Sequence, residues 1–339
     1  MPEEKAKETV LDMKSQLFCI LPPGIHTPDG METDREGNLI LSCPNFADEK
    51  TSGAIYKITK EGKATKWFDV PVHPETGAAR NMGIAFDDRE GLFICDNQGW
   101  SEKPELLFKG RLLRVQTGAG GIVSYKVTAY GMEHPNGVRY KDGYVYVTQS
   151  YMHPVKRQDG LLTSGVYRFS VDDENIEIHN DLSDKNLLCT FVTRNPLCQY
   201  GCDGIVFAPD GSLLVGNFGD GEVWRIVLDG DGKVKEKSLF AKNEKELQST
   251  DGMCFDPAGN LYIADFSANA LCRVSPDGRV ERIASSPDTD GLHGELNQPG
   301  EPICFDGKIV VSCFNLVTGP DKVNKSHTMP CTLAFCAAG

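Results

Sequence analysis

Asp251-Gly-Met-Cys-Phe-Asp-Pro-Ala-Gly-Asn-Leu-Tyr-Ile-Ala (residues 251–264) decides the fold, because the chain repeats this phrase six times. An acid and a glycine open a short apolar run, a Gly-bearing turn follows, and a second β-rich run closes a hairpin. The counterparts are Asp29-Gly-Met-Glu-Thr, Met82-Gly-Ile-Ala-Phe, Asn136-Gly-Val-Arg-Tyr, Asp203-Gly-Ile-Val-Phe and Glu301-Pro-Ile-Cys-Phe. Their starts lie 53, 54, 67, 48 and 50 residues apart. A steady period of this length marks a propeller or a solenoid.

Outward from each phrase stands a second hairpin. Unit five continues with Ala270–Ser275 and Val280–Ala284; unit four runs Asp203–Phe207, Leu213–Asn217, Gly221–Val227 and Val234–Phe240. In unit one, Ala54–Ile58 and Ala64–Phe68 follow Gly30–Thr33 and Leu39–Cys43. Four antiparallel strands per unit make one blade, so the sequence predicts an all-β, six-bladed β-propeller. An open β-sandwich is the rival, and a WD40 propeller lacks its Gly-His and Trp-Asp markers here. Unit six is short of an outer strand. Cys331–Cys336 reads as its third strand and Gln16–Leu21 as its fourth, which joins the two ends of the chain and removes an exposed sheet edge. Residues 1–15 are expected to be an N-terminal arm with a short helix over Glu3–Lys14, and residues 16–339 a single propeller domain. Units two and three carry insertions, Asn97–Gly110 and Ser150–Thr163, after their second strands, where loops on a rigid scaffold carry binding groups.

The composition narrows the function. A net charge of −13 over 339 residues, with no basic cluster, speaks against nucleic acid as a partner. No apolar stretch reaches membrane-spanning length, and the first residues lack the apolar core of a signal peptide. A cytosolic protein is expected unless a leader was removed ahead of this numbering, with a small-molecule substrate and a monomeric or dimeric state. Twelve cysteines occur without a Cys-x-x-Cys pair, many inside strands. Reduced core thiols are expected, with Cys198–Cys202, or Cys19 with Cys331 or Cys336, as the alternative pairings.

If six units close into a ring, Asp29, Met82, Asn136, Asp203, Asp251 and Glu301 converge on its axis. Asp-Gly is also a turn dipeptide, but each unit has its own turn later, as in Arg35-Glu-Gly-Asn and Ala208-Pro-Asp-Gly. Carboxylates crowded together raise one another's pKa, and a dication resolves the conflict. Oxygen-only donors favour Ca²⁺ over Zn²⁺ or Cu²⁺, and Mg²⁺ and Mn²⁺ also accept them. No phosphate-binding loop or dinucleotide motif is present, so no redox or nucleotide cofactor is expected.

Phe207-Ala-Pro-Asp-Gly-Ser-Leu-Leu-Val, Phe255-Asp-Pro-Ala-Gly-Asn-Leu-Tyr-Ile-Ala-Asp and the Asp/Asn-Gly-(Ile/Val/Met) unit starts resemble the SMP-30/gluconolactonase family, and more distantly the diisopropylfluorophosphatases and paraoxonases. The resemblance spans about residues 24 to 336. It implies a six-bladed propeller with Ca²⁺ in the channel, held by Asp29, Asn136, Asp203 and Asp251. Asp251 would double as general base or nucleophile. The sequence departs from the family pattern in having Asp29 for Glu, Asp203 for Asn, and a carboxylate at Glu301. Some relatives hold a second, deeper Ca²⁺; here Cys254 and Cys304 occupy the matching places, and a Glu32–Arg139 pair is expected to fill that depth instead.

The implied activity is a calcium-dependent lactonase acting on a small sugar or aliphatic lactone. The alternatives are organophosphate or phosphofluoridate hydrolysis at the same metal, or a non-enzymatic calcium-binding or ligand-binding propeller. Glu301 is a candidate extra ligand or second base, and His134, two residues before Asn136, a candidate general acid. His26, His293, Asn81, Asn97 and Asn217 are weaker candidates near the same rim.

Overall fold

A computed structural model describes residues 15–99, 103–118, 120–319 and 322–338. The expected N-terminal helix lies outside the described residues. Six antiparallel sheets form, one per repeat. Blade four contains Cys202–Phe207, Leu213–Asn217, Glu222–Leu228 and Val234–Lys242, in that order from the axis outward. Blade two gains a fifth strand, Ile176–Glu177, parallel to its outer strand Gly121–Met132, which the sequence did not announce. In blade six, Gln16–Ile20 pairs antiparallel with Thr332–Ala337, and Leu21 N–H donates to Cys331 O at 2.9 Å. The closing strand therefore stands where the sequence places it.

The second strands are buried from end to end: Leu39–Cys43, Gly91–Asp96, Leu213–Asn217 and Leu261–Asp265. They read as apolar runs because each blade is covered on both faces by its neighbours. Aliphatic clusters fill the seams. Ile40, Ile55, Ile84 and Leu92 join blades one and two; Leu214, Val223, Met253 and Ile263 join blades four and five. All twelve cysteines are free. Nine are buried, and burial pushes the Cys19 thiol up to about 12, so these thiols act as small apolar groups.

The repeated residue pair at each unit start has a definite geometric cause. The ladder between first and second strands slips once in four blades. Met82-Gly83 opposes Cys95, Asn136-Gly137 opposes Thr148, Asp203-Gly204 opposes Gly216, and Gly300-Glu301 opposes Ser312. Two residues against one is a β-bulge, which bends the strand and re-aims a side chain. In blades one and five the ladder begins later, at Met31 and Met253, while Asp29 N–H donates to Ser42 O at 2.9 Å and Asp251 N–H to Ala264 O at 3.0 Å. The glycine is required by close approach. A methyl group on Gly30, Gly83, Gly137 or Gly204 would lie 2.7, 2.5, 2.6 or 2.0 Å from the carbonyl oxygen of the ring residue in the next blade. Inner strands thus pack backbone to backbone at the axis, and the ring residues are held at one level.

Candidate active site at the channel mouth

The bulges of blades two to four and the strand entries of blades one and five bring Asp29, Met82, Asn136, Asp203 and Asp251 to the floor of one cavity of about 690 Å³. Its walls come from the two expected insertions (Gly99 and Leu107; Tyr151 and His153), from the blade three to four connection (Leu197 to Tyr200), and from the blade six loop (Val317, Thr318 and Lys322). The last two segments were not singled out in the sequence.

Three floor carboxyls are buried and interact. Burial first, then repulsion by Glu301, raises the Asp29 carboxyl to about 7. Burial, followed by Asp29 and Glu301, pushes Asp203 well up, and its side chain lies within hydrogen-bonding reach of Asp251 and Asn136. Burial and then Asp203, Asp29 and Glu301 push Asp251 up in the same way. Asp203 and Asp251 are therefore placed to share a proton when nothing else neutralises them. The Asn136 amide donates to the Tyr200 hydroxyl at 2.9 Å, which leaves its carbonyl oxygen as the donor for a cation. Among the described residues, no three His, Cys, Asp or Glu side chains already converge as a finished metal cage. The donor chemistry is nevertheless that of a hard dication: carboxylate and amide oxygens, an excess of negative charge, and no thiolate or imidazole at the floor.

The expectation that Glu301 is the blade-six ring residue is corrected: the ladder puts Gly300 at the place of Asp203 and Glu301 one residue on, at the place of Gly204. Its carboxylate forms an ion pair and hydrogen bond with Arg139, and it does not line the cavity. Arg139 also donates to Val138 O at 2.8 Å and to Met253 O at 3.3 Å. A guanidinium from blade three thus crosses the axis to blade six beneath the floor. The expected Glu32–Arg139 pair is corrected accordingly: Glu32 feels Arg139 at longer range, as a lowering of its burial-raised pKa, while the direct partner is Glu301. Glu301 stands at the second place of the blade-six bulge, within reach of Arg139, whereas Glu32 lies in a regular ladder and accepts from the Thr33 N–H at 2.9 Å.

His134 lines the cavity but is almost wholly buried, and burial, reinforced by His153, holds its pKa down to about 3. It is therefore neutral at ordinary pH. Its Nε2 lies 2.7 Å from the Tyr200 hydroxyl, so it orients that hydroxyl, which in turn fixes Asn136. His26 sits 3.7 Å from Asp48, and His293 is exposed; neither lines the cavity. Asn81 donates to Ser42 Oγ at 2.7 Å between blades, Asn97 accepts from Gly99 N–H at 3.1 Å, and Asn217 accepts from Thr193 Oγ1 at 2.8 Å. None of these three lines the cavity.

Two features escaped the sequence. Buried Glu133 binds His153 twice, accepting from its backbone N–H at 2.9 Å and from its Nδ1, and this hydrogen bond raises the imidazole pKa. The second feature is an aromatic wall. Phe218, Phe266 and Phe314 each follow the last residue of a second strand, after Asn217, Asp265 and Cys313. That recurrence was visible as a repeat position but lies outside the opening phrase.

A closed six-bladed propeller with an acidic, oxygen-lined floor under an open cavity defines the class of channel-mouth propellers. Within it, the chain belongs to the SMP-30/gluconolactonase/LRE-like family, whose model matches residues 77–290. Comparison with curated protein sequences gave no significant match. Among solved structures, a gluconolactonase from Xanthomonas campestris aligns with TM-score 0.58 and 16% identity over 92% of this chain and 86% of its own. The calcium-binding protein regucalcin from Agrobacterium tumefaciens gives 0.61 and 14% over 97% and 95%. Virginiamycin B lyase from Staphylococcus aureus gives 0.56 and 14% over 96% and 99%. At such identities the likeness establishes the fold.

Proposed function

We propose that the channel mouth hydrolyses a lactone with the help of a divalent cation, calcium being the ion its donors suit best. The observation that carries this is the floor itself: Asp203 and Asp251, buried, coupled and within reach of each other, beside Asp29 and Asn136, all open to one cavity. Family membership supports lactonase chemistry, and a calcium-binding neighbour supports the ion. Asp29, Asn136, Asp203 and Asp251 would hold the cation, which when bound polarises an acyl carbonyl and neutralises the floor.

The protein groups divide the remaining work. Asp251, at the cavity floor within reach of Asp203, takes the proton from the attacking water. As water adds to the acyl carbon, the ring C–O bond breaks and the leaving oxygen takes the proton that Asp251 accepted from the water. Asp29 and Asp203 supply the negative charge that would hold the cation beside Asp251. The neutral His134–Tyr200–Asn136 chain fixes the amide. Arg139 holds Glu301 away from the substrate, so the candidate second base serves as a counter-charge below the floor. Twelve free thiols suit a reducing compartment, in keeping with a cytosolic location.

Asp251→Asn tests the role of the base. Loss of one general base is expected to lower kcat by about 10²–10⁴, with an unchanged circular dichroism spectrum. Near-normal turnover would remove Asp251 from the mechanism. Turnover of a lactone panel that ignores chelator would remove the cation, and calcium-dependent melting without any turnover would leave a binding protein.

A further inference from the structure

We infer that this cavity prefers a substrate with an apolar, aromatic group beside its scissile acyl carbon over a polyhydroxylated sugar lactone; the inference rests on the hydrolase reading for the bond that is cut, and on the cavity walls for the rest.

The walls form a continuous aromatic arc. Tyr151 meets Tyr200 at 5.2 Å between ring centroids, Tyr200 meets Phe218 at 4.9 Å, Phe218 meets Phe266 at 6.0 Å, and Phe266 meets Phe314 at 5.9 Å. All five rings line the cavity, and they come from blades three to six and their connections. Interplanar angles between 57° and 75° show edge-to-face and tilted contacts, the preferred arrangement for packed rings. Such an arc offers apolar ring edges along one stretch of the lining, while Glu133, His153, Gln199, Thr318 and Lys322 supply polar groups elsewhere on it.

The floor and the rim agree with the wall. At the blade-two place in the donor ring stands Met82, a thioether that packs against aromatic guests and ligates hard cations poorly. At the mouth, Leu107, Leu197 and Val317 line the cavity from three separate loops, and they are 39%, 84% and 40% exposed. Exposed apolar side chains meeting at one opening mark a binding surface. The volume of about 690 Å³ lies well inside the range for drug-sized ligands, and exceeds what one hexose ring occupies.

The experiment compares two δ-lactones with the calcium-saturated protein, glucono-δ-lactone and a lactone fused to a benzene ring. The expected kcat/KM is at least tenfold higher for the benzene-fused lactone. Leu197→Ser/Val317→Ser, which alters only exposed rim residues and so should fold normally, is expected to lower that ratio several-fold. An equal or higher kcat/KM for gluconolactone overturns the inference and leaves the hydrolase reading standing. If neither lactone is cleaved, calorimetry with the corresponding uncleavable lactams decides. Binding of the benzene-fused lactam alone sustains the inference while the hydrolase reading fails; binding of neither, or of the polyol alone, overturns it.

Discussion

Asp29→Asn should stabilise the metal-free protein at alkaline pH while weakening cation binding. Asp29 is buried, and burial with repulsion from Glu301 raises its carboxyl from 3.8 to about 7. At about 1.36 kcal/mol per pH unit, holding that carboxylate ionised in the fold costs about 4 kcal/mol. The sign follows from proton binding. Between the unfolded pKa and about 7 the folded protein keeps a proton that the unfolded chain has lost. Stability is therefore fully present at acid pH and is lost as pH rises through that window. Asp203 and Asp251, whose carboxyls are raised in the same direction, steepen the slope. Asparagine removes the Asp29 contribution with almost no change of shape. The assay is urea denaturation with chelator at pH 5 and pH 8. The wild type should be the less stable at pH 8, and the variant should recover up to about 4 kcal/mol there and about 1–2 kcal/mol at pH 5. With saturating calcium the order should reverse, because the wild type gains binding energy that the variant lacks. A variant no more stable than wild type at pH 8 in chelator would refute the idea of a buried, charge-strained ring.

Three further outcomes are expected. Arg139→Met strands Glu301 beneath the floor and should cost about 3–5 kcal/mol in denaturant unfolding, whereas adding Glu301→Gln should restore most of it; equal losses in both variants would show that the guanidinium matters only as packing. Glu133→Gln removes the group that raises His153, so the imidazole should titrate at lower pH by NMR, and an unmoved titration would break the pairing. Gly137→Ala places a methyl group against the Asp203 carbonyl at 2.6 Å and should lower the melting temperature and weaken calcium binding together, because it displaces the next ring residue.

The repeat made the architecture legible. Six hairpins at a steady period give six blades, and the missing outer strand of unit six sends Gln16–Ile20 to close the ring. The residues at the cavity floor were legible for the same reason, since equivalent places in successive blades open onto one axis. What was lost depends on reach across the ring. Arg139 and Glu301 are separated by 162 positions and lie on opposite blades, and only the depth and direction of each side chain in the channel selects Glu301 over Glu32. The Glu133–His153 contact arises because an insertion folds back over the start of its own blade, a path that periodicity does not describe. Phe218, Phe266 and Phe314 were legible in principle, as the residue after each second strand, but a single aromatic at such a place reads as core. Its second role appears only when the three meet around one opening.

The central claim is that the floor is a cation site strained by its own charge. Its most direct test is calcium titration of the metal-stripped protein by calorimetry at pH 7, repeated in two buffers of different ionisation enthalpy. One ion should bind per chain with net proton release, because the raised carboxyls of Asp29, Asp203 and Asp251 must give up protons to ligate it. Absence of binding, or binding that releases no protons and is unchanged in Asp203→Asn, would contradict the account.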